Sequence, residues 1–191
     1  TLTNIKSRNL VRGGSTITQQ LVKNVYLTNE KTLTRKIREA YLALRVESVL
    51  SKPEILEGYL NRIDLGQGAF GVEAASQSYF SKHAKDINLA QAALLAGIAK
   101  SPVEYPPVKR LTVDNFDKDK NKLVGTTVID GIEYNIVLND KAFERQKIVL
   151  KKMLDLGKIT EAQYKEALDF DIVGSIKPVS YTHLRAHETL R

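Results

Sequence analysis

A mainly α-helical fold with a small β-hairpin is predicted for this chain by three features of its sequence. Helix-start signals recur through the first hundred residues, each followed by apolar residues at i, i+3, i+4 spacing. The segment from Leu89 to Lys100 is apolar on nearly all sides, which is typical of a central buried helix. The stretch from Leu111 to Leu138 instead carries β-rich runs on either side of Asp130-Gly131, a favoured hairpin turn.

The composition is that of a folded domain with an excess of positive charge. The 191 residues are 42% hydrophobic and 27% charged, and the formal net charge is +7. This charge favours an acidic partner, and it leaves nucleic acid, an anionic membrane and a diphosphate substrate open. The lack of cysteine excludes disulfides and thiolate chemistry. No window reaches the roughly 18 to 20 apolar residues that a spanning helix needs.

Two helices are predicted in the first part of the chain. Ser15 follows Gly13 and Gly14 and is expected to cap a helix that runs to about Tyr26. A second helix should begin near Thr34. Its apolar spacing predicts a buried stripe of three residues, Ile37, Tyr41 and Leu44.

Capping signals and glycines mark the elements that follow. Ser51 and Glu54 form a capping box for a third helix that should end near Asn61. A loop with permissive backbone then precedes a helix over Val72 to Phe80; its glycines are Gly66, Gly68 and Gly71. Two more capping pairs begin helices, Asn88 with Gln91 and Thr160 with Gln163. The helix predicted between them, Lys141 to Leu156, should stop at Gly157.

Residues 1–178 are therefore assigned to one partial domain, in which 111–138 form an inserted hairpin. Residues 179–191 show no periodicity that fits the preceding helices, and their amino-acid sequence resembles translated sequencing-adapter sequence. We expect a non-native or disordered tail and assign no function to His183 and His187, which lie in it.

Two predicted helices carry the strongest cluster of polar side chains. Its members are Gln19, Gln20, Lys23, Arg35, Lys36 and Glu39. Cations of this kind stabilise the charge that grows on a diphosphate leaving group, and amides can orient sugar hydroxyls. On spacing alone, however, the favoured interpretation of Arg35 and Glu39 is an ordinary i, i+4 surface ion pair.

Metal-binding patterns are weak. Asp117, Asp119 and Asn121 resemble the start of a calcium loop, but Lys122 stands where glycine is expected and Val128 where glutamate is expected. His83 is a lone histidine, which we interpret as a solvated side chain.

The amino-acid sequences of three segments resemble motifs of the glycosyltransferase domain of class A penicillin-binding proteins and of the monofunctional peptidoglycan glycosyltransferases. Residues 12–24 read RGGSTITQQLVKN and resemble that family's GGSTITQQ motif. Residues 35–39, RKIRE, resemble its RKxxE motif, and residues 52–61, KPEILEGYLN, resemble its KxxILExYLN motif. The motifs occur in the family's order, and the resemblance extends to about Lys109.

The resemblance implies a lysozyme-like helical fold that polymerises lipid II into β-1,4 glycan strands with release of polyprenyl diphosphate. It also implies a second catalytic carboxylate upstream of the GGST motif. No upstream carboxylate motif is present in this sequence, so we expect a truncated fragment that is inactive alone.

By the same resemblance, Glu39 is expected to be the catalytic carboxylate. Six residues carry over as donor and diphosphate contacts, namely Ser15, Gln19, Gln20, Lys23, Arg35 and Lys36, and Asn61 is a further groove candidate. Mg²⁺ or Mn²⁺ is a possible aid to the diphosphate, although the sequence shows no dedicated set of metal ligands.

The expected partners are lipid II, the growing lipid-linked glycan and the membrane surface, without nucleic acid. The resemblance also implies an N-terminal membrane anchor, the extracytoplasmic face of a bacterial plasma membrane and, in bifunctional relatives, a C-terminal transpeptidase domain. Two alternatives stay open: a lysozyme-like glycan hydrolase, and a non-catalytic basic module that binds lipid or nucleic acid.

Overall fold

The computed structural model describes residues 15–26 and 32–177, which form seven α-helices and one small sheet. They divide into two compact units, with the boundary between Ile63 and Asp64. The first unit contains α1 (Ile17–Tyr26), α2 (Leu33–Val49) and α3 (Lys52–Leu60). The second contains α4 (Val72–Phe80), α5 (Leu89–Ile98), α6 (Asp140–Asp155), α7 (Glu161–Asp169), β1 (Val108–Thr112), β2 (Leu123–Ile129) and β3 (Ile132–Leu138). The prediction of a mainly helical chain with a small hairpin is confirmed.

In the first unit, α1 packs against both α2 and α3. The buried residues of α1 are Thr18, Leu21 and Val22. Gly58 of α3 permits a close approach, since a Cβ at this position would lie 3.4 Å from a methyl carbon of Leu21. The predicted capping box of Ser51 and Glu54 begins α3, which turns Ile55 and Tyr59 inward.

Thr16, rather than Ser15, caps α1. The hydroxyl of Thr16 accepts the N–H of Gln19 at 3.2 Å, and the side-chain oxygen of Gln19 accepts the N–H of Thr16 at 3.0 Å. This reciprocal pair is a capping box, which satisfies two backbone donors that the first helical turn leaves unpaired. The Ser15 hydroxyl is therefore available for a contact with α2.

The predicted buried stripe of α2 is wrong. Ile37, Tyr41 and Leu44 are 64%, 62% and 68% exposed. The buried residues of α2 are instead Glu39 and Ala43, on a neighbouring face. Apolar periodicity identifies an apolar face but not what covers it, and here the face that carries the ion-paired carboxylate meets the unit's interior.

In the second unit, α5 packs against α6 and α7. Their shared core consists of Ala90, Ala93, Leu150, Ile159 and Ala167. The side-chain amide of Gln146, buried on α6, donates to the carbonyl of Ala90 at 2.9 Å. Both predicted capping pairs, at Asn88 and at Thr160, are present and begin α5 and α7.

The sheet has the order β1-β3-β2, with both pairs antiparallel. The predicted turn is present, and Asp130 and Gly131 have φ values of 52° and 79°. Strand β1 was not predicted, and it pairs with β3 from Val108 opposite Leu138 to Thr112 opposite Tyr134. Its five residues include two cations and follow prolines, so no strand pattern is visible before the partner strand is known.

Some predicted features lie outside the described residues. These are Arg12 to Gly14 of the first motif, and the tail with its two histidines. Across residues 15–26 and 32–177, no helix combines the length and the apolar content needed to cross a bilayer.

Candidate functional site

Glu39 lies at the centre of the candidate site, and it is only 1% exposed. Arg35 Nη1 donates to Glu39 Oε2 at 2.9 Å, and Lys36 Nζ donates to Glu39 Oε1. The three residues share one side of α2 because they stand four and three positions apart. A buried charge is stable only when it is paired, so the two cations explain why Glu39 can be buried.

Ser15 connects α2 to the chain that enters α1. Lys36 Nζ donates to the Ser15 hydroxyl at 2.8 Å, in addition to its contact with Glu39. The carbonyl of Ser15 accepts the Gln20 amide at 3.4 Å. Ser15, Gln20, Arg35, Lys36 and Glu39, all candidates from the sequence, are thus brought together in one hydrogen-bonded cluster, which we call the Glu39 cluster.

Tyr59 joins the cluster from α3, although it was not a sequence candidate. Its hydroxyl donates to Gln20 Oε1 at 3.4 Å, and the residue is buried. Burial raises the pKa of the Tyr59 phenol, so the hydroxyl keeps its proton for this bond. The sequence contained one signal for Tyr59, which stands four residues after Ile55 and so on the same helix face. A polar atom on a buried helix face requires a partner.

A second contact between α1 and α2 was also missed. Thr18, buried in α1, donates through its hydroxyl to Glu47 Oε1 at 2.6 Å. The two residues stand 29 positions apart, and no local pattern links them. This bond and the one between Lys36 and Ser15 hold α1 beside α2 at two points.

Positive groups in the Glu39 cluster stay accessible to an anion. The Lys36 side chain is 46% exposed, and the Arg35 side chain is 17% exposed. Both cations therefore keep exposed positive charge while they bind Glu39, an arrangement suited to binding phosphate oxygens.

Three sequence candidates lie apart from this cluster. The Gln19 side chain caps its own helix. Lys23 is exposed on α1, and none of the described residues forms an ion pair with it. Asn61 is the C-cap of α3, where its backbone N–H bonds to Glu57.

The first unit also contains a cavity of about 540 Å³. Its lining comes from the start of α1, the end of α2 and the start of α3. None of the eight sequence candidates lines it. The cavity is therefore a separate feature from the Glu39 cluster.

The described residues contain no ready-made set of ligands for a resident metal ion. In the part of the chain that the structure describes, no three histidine, aspartate or glutamate residues lie close enough to hold one. Both oxygens of Glu39 already accept hydrogen bonds from cations. Any Mg²⁺ or Mn²⁺ in the reaction would need other ligands.

Sequence comparisons show which proteins this chain resembles. A family model described as Transglycosylase matches residues 1–154. Penicillin-binding protein 1A of Aquifex aeolicus is 42% identical over 168 residues, which cover 88% of this chain and 19% of that protein. The Pseudomonas aeruginosa protein of the same name is 40% identical over 171 residues, covering 90% and 17%. A Clostridium botulinum relative is 39% identical over 187 residues, covering 96% and 20%.

A solved structure of penicillin-binding protein 1A from Haemophilus influenzae covers 87% of this chain and 17% of its own, at 21% identity and a TM-score of 0.45. The assignment therefore rests on the sequence matches. The chain spans about a fifth of the length of the curated relatives that it matches. Because the family model covers most of the chain and these relatives share about 40% of its residues, the chain belongs to the transglycosylase family.

Proposed function

We propose that this chain is the donor-binding part of a peptidoglycan glycosyltransferase that polymerises lipid II into β-1,4 glycan strands. One observation carries the proposal. The Glu39 cluster presents the cations of Arg35 and Lys36, fixed by a buried carboxylate, within the segments that match the transglycosylase family. Such a pair of cations fits the diphosphate that links a sugar to a polyprenyl chain.

The proposed reaction exchanges one bond at the anomeric carbon of the donor sugar. A hydroxyl oxygen of the acceptor sugar forms a bond to that carbon, while the bond from the carbon to the diphosphate oxygen breaks. Polyprenyl diphosphate leaves with the bonding electrons, and the cations stabilise its growing charge. The hydroxyl proton passes to a base, which the family resemblance places on a carboxylate upstream of the GGST motif.

The burial of Glu39 supports a role in holding the cations. Its two oxygens are occupied by Arg35 and Lys36, which would otherwise repel each other and sample many rotamers. Ser15 adds a third point of attachment at Lys36 Nζ. The proposed function of Glu39 is therefore to keep both cations pointed at the diphosphate as the bond breaks.

We also propose that the protein acts at the extracytoplasmic surface of the plasma membrane, where its lipid-linked substrate is held. The exposed face of α2 supports a membrane contact. Its exposed apolar side chains are Leu33, Ile37, Tyr41 and Leu44. Arg38 on the same helix is exposed as well, and an amphipathic helix with a basic residue beside its apolar face is suited to a lipid interface.

The two alternatives make different use of the Glu39 cluster. A glycan hydrolase requires a general acid beside the scissile bond and has little use for two cations around a carboxylate. A basic binding module would depend on net charge, so it would be indifferent to Glu39→Gln. Neither alternative explains why the carboxylate is buried between the cations.

Binding of farnesyl diphosphate, a short soluble polyprenyl diphosphate, tests the donor site in the 191-residue chain. We expect Lys36→Ala to weaken binding by about tenfold, because one charge-assisted contact is lost. Arg45→Ala is the matched control. Arg45 is an exposed cation on the same helix, nine residues further along, which places it on the opposite side.

Isothermal titration calorimetry provides the affinities, and far-UV circular dichroism checks that each variant is folded. Loss of affinity in Lys36→Ala with wild-type affinity in Arg45→Ala supports the proposed donor site. Equal losses in both variants would indicate attraction by net charge alone. Unchanged affinity in folded Lys36→Ala would exclude Lys36 as a diphosphate contact.

A further inference from the structure

The end of α6 folds back on itself in a way that gathers lysines. Gly157, with a φ of 63°, follows the C-cap residue Leu156. The N–H of Lys158 donates to the Met153 carbonyl at 2.8 Å, and the N–H of Gly157 donates to the Leu154 carbonyl at 2.9 Å. This pair of bonds is a Schellman motif, which places Lys158 beside the last turn of α6.

An exposed basic surface results, which we call the α6 surface. It consists of Lys147, Ile148, Lys151, Lys152, Leu156 and Lys158. The first four share one side of α6, since they stand at i, i+1, i+4 and i+5. With neighbouring residues, they line an open groove of about 750 Å³ in the second unit.

The positive charge of the α6 surface is largely uncompensated. Asp155 is the one carboxylate in the groove lining, and it pairs with Lys151 at 2.8 Å. Lys147, Lys152 and Lys158 form no ion pair with any residue in 15–26 or 32–177. Glu144 lies one turn earlier on α6, outside the groove lining. Close lysines repel one another, so a partner with negative charge would bind favourably.

Apolar side chains stand exposed among these lysines. Ile148 is 57% exposed and Leu156 is 58% exposed, on either side of Lys152. Met153 and Tyr164 form the half-buried floor beside them. A solvated charged face has no need of two exposed branched apolar residues, whereas a partner that is both anionic and apolar would contact the lysines and these residues together.

We infer that the α6 surface binds an anionic lipid bilayer. Ile148 and Leu156 enter the boundary between headgroups and acyl chains, and the surrounding lysines contact headgroup phosphates while their methylene stems lie along the apolar residues. Nucleic acid fits this surface less well, because the exposed aliphatic side chains have no counterpart on a phosphate backbone. This contact is distinct from the apolar face of α2, and it does not depend on the proposed transferase activity.

Vesicle binding by the whole 191-residue chain tests the inference. Vesicles of phosphatidylglycerol and phosphatidylcholine in equal parts are compared with vesicles of phosphatidylcholine alone, by flotation. Lys147→Glu with Lys152→Glu reverses two charges of the α6 surface, and Lys118→Glu with Lys122→Glu reverses two exposed charges elsewhere in the second unit. Ile148→Ser is matched by Val128→Ser on β2, where Val128 is 58% exposed.

Reversal at the α6 surface is expected to lower binding to the anionic vesicles by about tenfold or more, and the matched reversal by about twofold or less. Ile148→Ser should weaken the same binding, and Val128→Ser should not. Equal losses in the two charge-reversed proteins, or no loss at the α6 surface, would overturn the inference. Binding to soluble polyglutamate that is lost with Lys147 and Lys152, without such loss on vesicles, would overturn it in favour of an acidic protein partner.

Discussion

The ammonium group of Lys36 donates a hydrogen bond of 2.8 Å to the hydroxyl of Ser15, a residue that stands 21 positions earlier in the chain. The same nitrogen contacts Glu39, so one cation joins the entrance of α1 to the buried carboxylate of α2. Lys36 is thereby held at a defined place with part of its side chain still exposed. This geometry provides the basis for the proposed diphosphate site.

Ser15→Ala and Thr16→Ala should affect different properties, although the residues are adjacent: the first should weaken ligand binding and the second should lower stability. Ser15→Ala removes an acceptor of Lys36, so we expect farnesyl diphosphate to bind about three- to tenfold more weakly with stability within about 0.5 kcal/mol of wild type. Thr16→Ala removes the cap of α1 and should cost about 1 kcal/mol of stability while binding is kept. Titration calorimetry and urea unfolding measure the two effects. A larger loss of stability in Ser15→Ala than in Thr16→Ala would contradict the assignment of the cap.

The exposed face of α2 predicts an asymmetry between Ile37 and Ala43. Ile37→Ser should change the free energy of unfolding by no more than about 0.5 kcal/mol, because the side chain is 64% exposed. Ala43→Leu should destabilise the protein by about 1–3 kcal/mol, because the added atoms enter a packed interface. Urea unfolding of both variants tests this. Equal destabilisation would mean that the apolar stripe of α2 is covered.

Two glycines of the loop before α4 should differ sharply in their tolerance of alanine. Both have positive φ, 80° at Gly66 and 82° at Gly68, so alanine is strained at either position by about 1–2 kcal/mol. A Cβ at Gly66 would also lie 2.5 Å from the Pro102 carbonyl oxygen and 2.6 Å from a ring carbon of Pro106, while at Gly68 it meets nothing within 4 Å. Thermal unfolding should therefore show a larger loss for Gly66→Ala. Similar losses would mean that the contacts at Gly66 relax without cost.

The Glu73 carboxylate should make stability depend on pH between about 4.5 and 2. The N–H of Ala84 and the side chains of His83 and Gln77 lower the pKa of Glu73 from 4.5 to about 2. A lowered pKa in the folded state stabilises the protein above the unfolded value, and this contribution is lost as the pH falls towards 2. Glu73→Gln should remove that part of the pH dependence.

An NMR titration of the Glu73 carboxyl carbon measures its pKa directly. His83→Ala should raise the pKa only in part, because the largest cause, the N–H of Ala84, is kept. A Glu73 pKa near 4.5 in the wild type would contradict the hydrogen bonds found at this carboxylate.

Local signals in the sequence predicted much of the fold. The capping pairs at Ser51, Asn88 and Thr160 all form, because each depends only on residues within one helical turn. The Asp130-Gly131 turn forms for the same reason, since its backbone conformation is a property of these two residue types. Strand β1 could not be found in this way, because pairing with β3 defines it.

In the candidate site, too, the grouping of residues within one helix was predicted, whereas the contacts between helices were not. Arg35, Lys36 and Glu39 share one side of a helix, so their spacing and their motif were sufficient to group them. The roles of Ser15 and Tyr59 depend on how three helices meet, as does the contact between Thr18 and Glu47. The apolar stripe of α2 was misassigned because periodicity identifies an apolar face without showing whether anything covers it.

Polymerisation of labelled lipid II in detergent is the most direct test of the central claim. The chain is preceded by the upstream segment of the Aquifex aeolicus relative, and the wild type is compared with Glu39→Gln, Lys36→Ala and the Arg45→Ala control, each shown to be folded. We expect glycan polymer from the wild type and Arg45→Ala, with a loss of about a hundredfold or more in Glu39→Gln and Lys36→Ala. Wild-type rates in folded Glu39→Gln and Lys36→Ala, or cleavage of glycan in place of synthesis, would contradict the central claim.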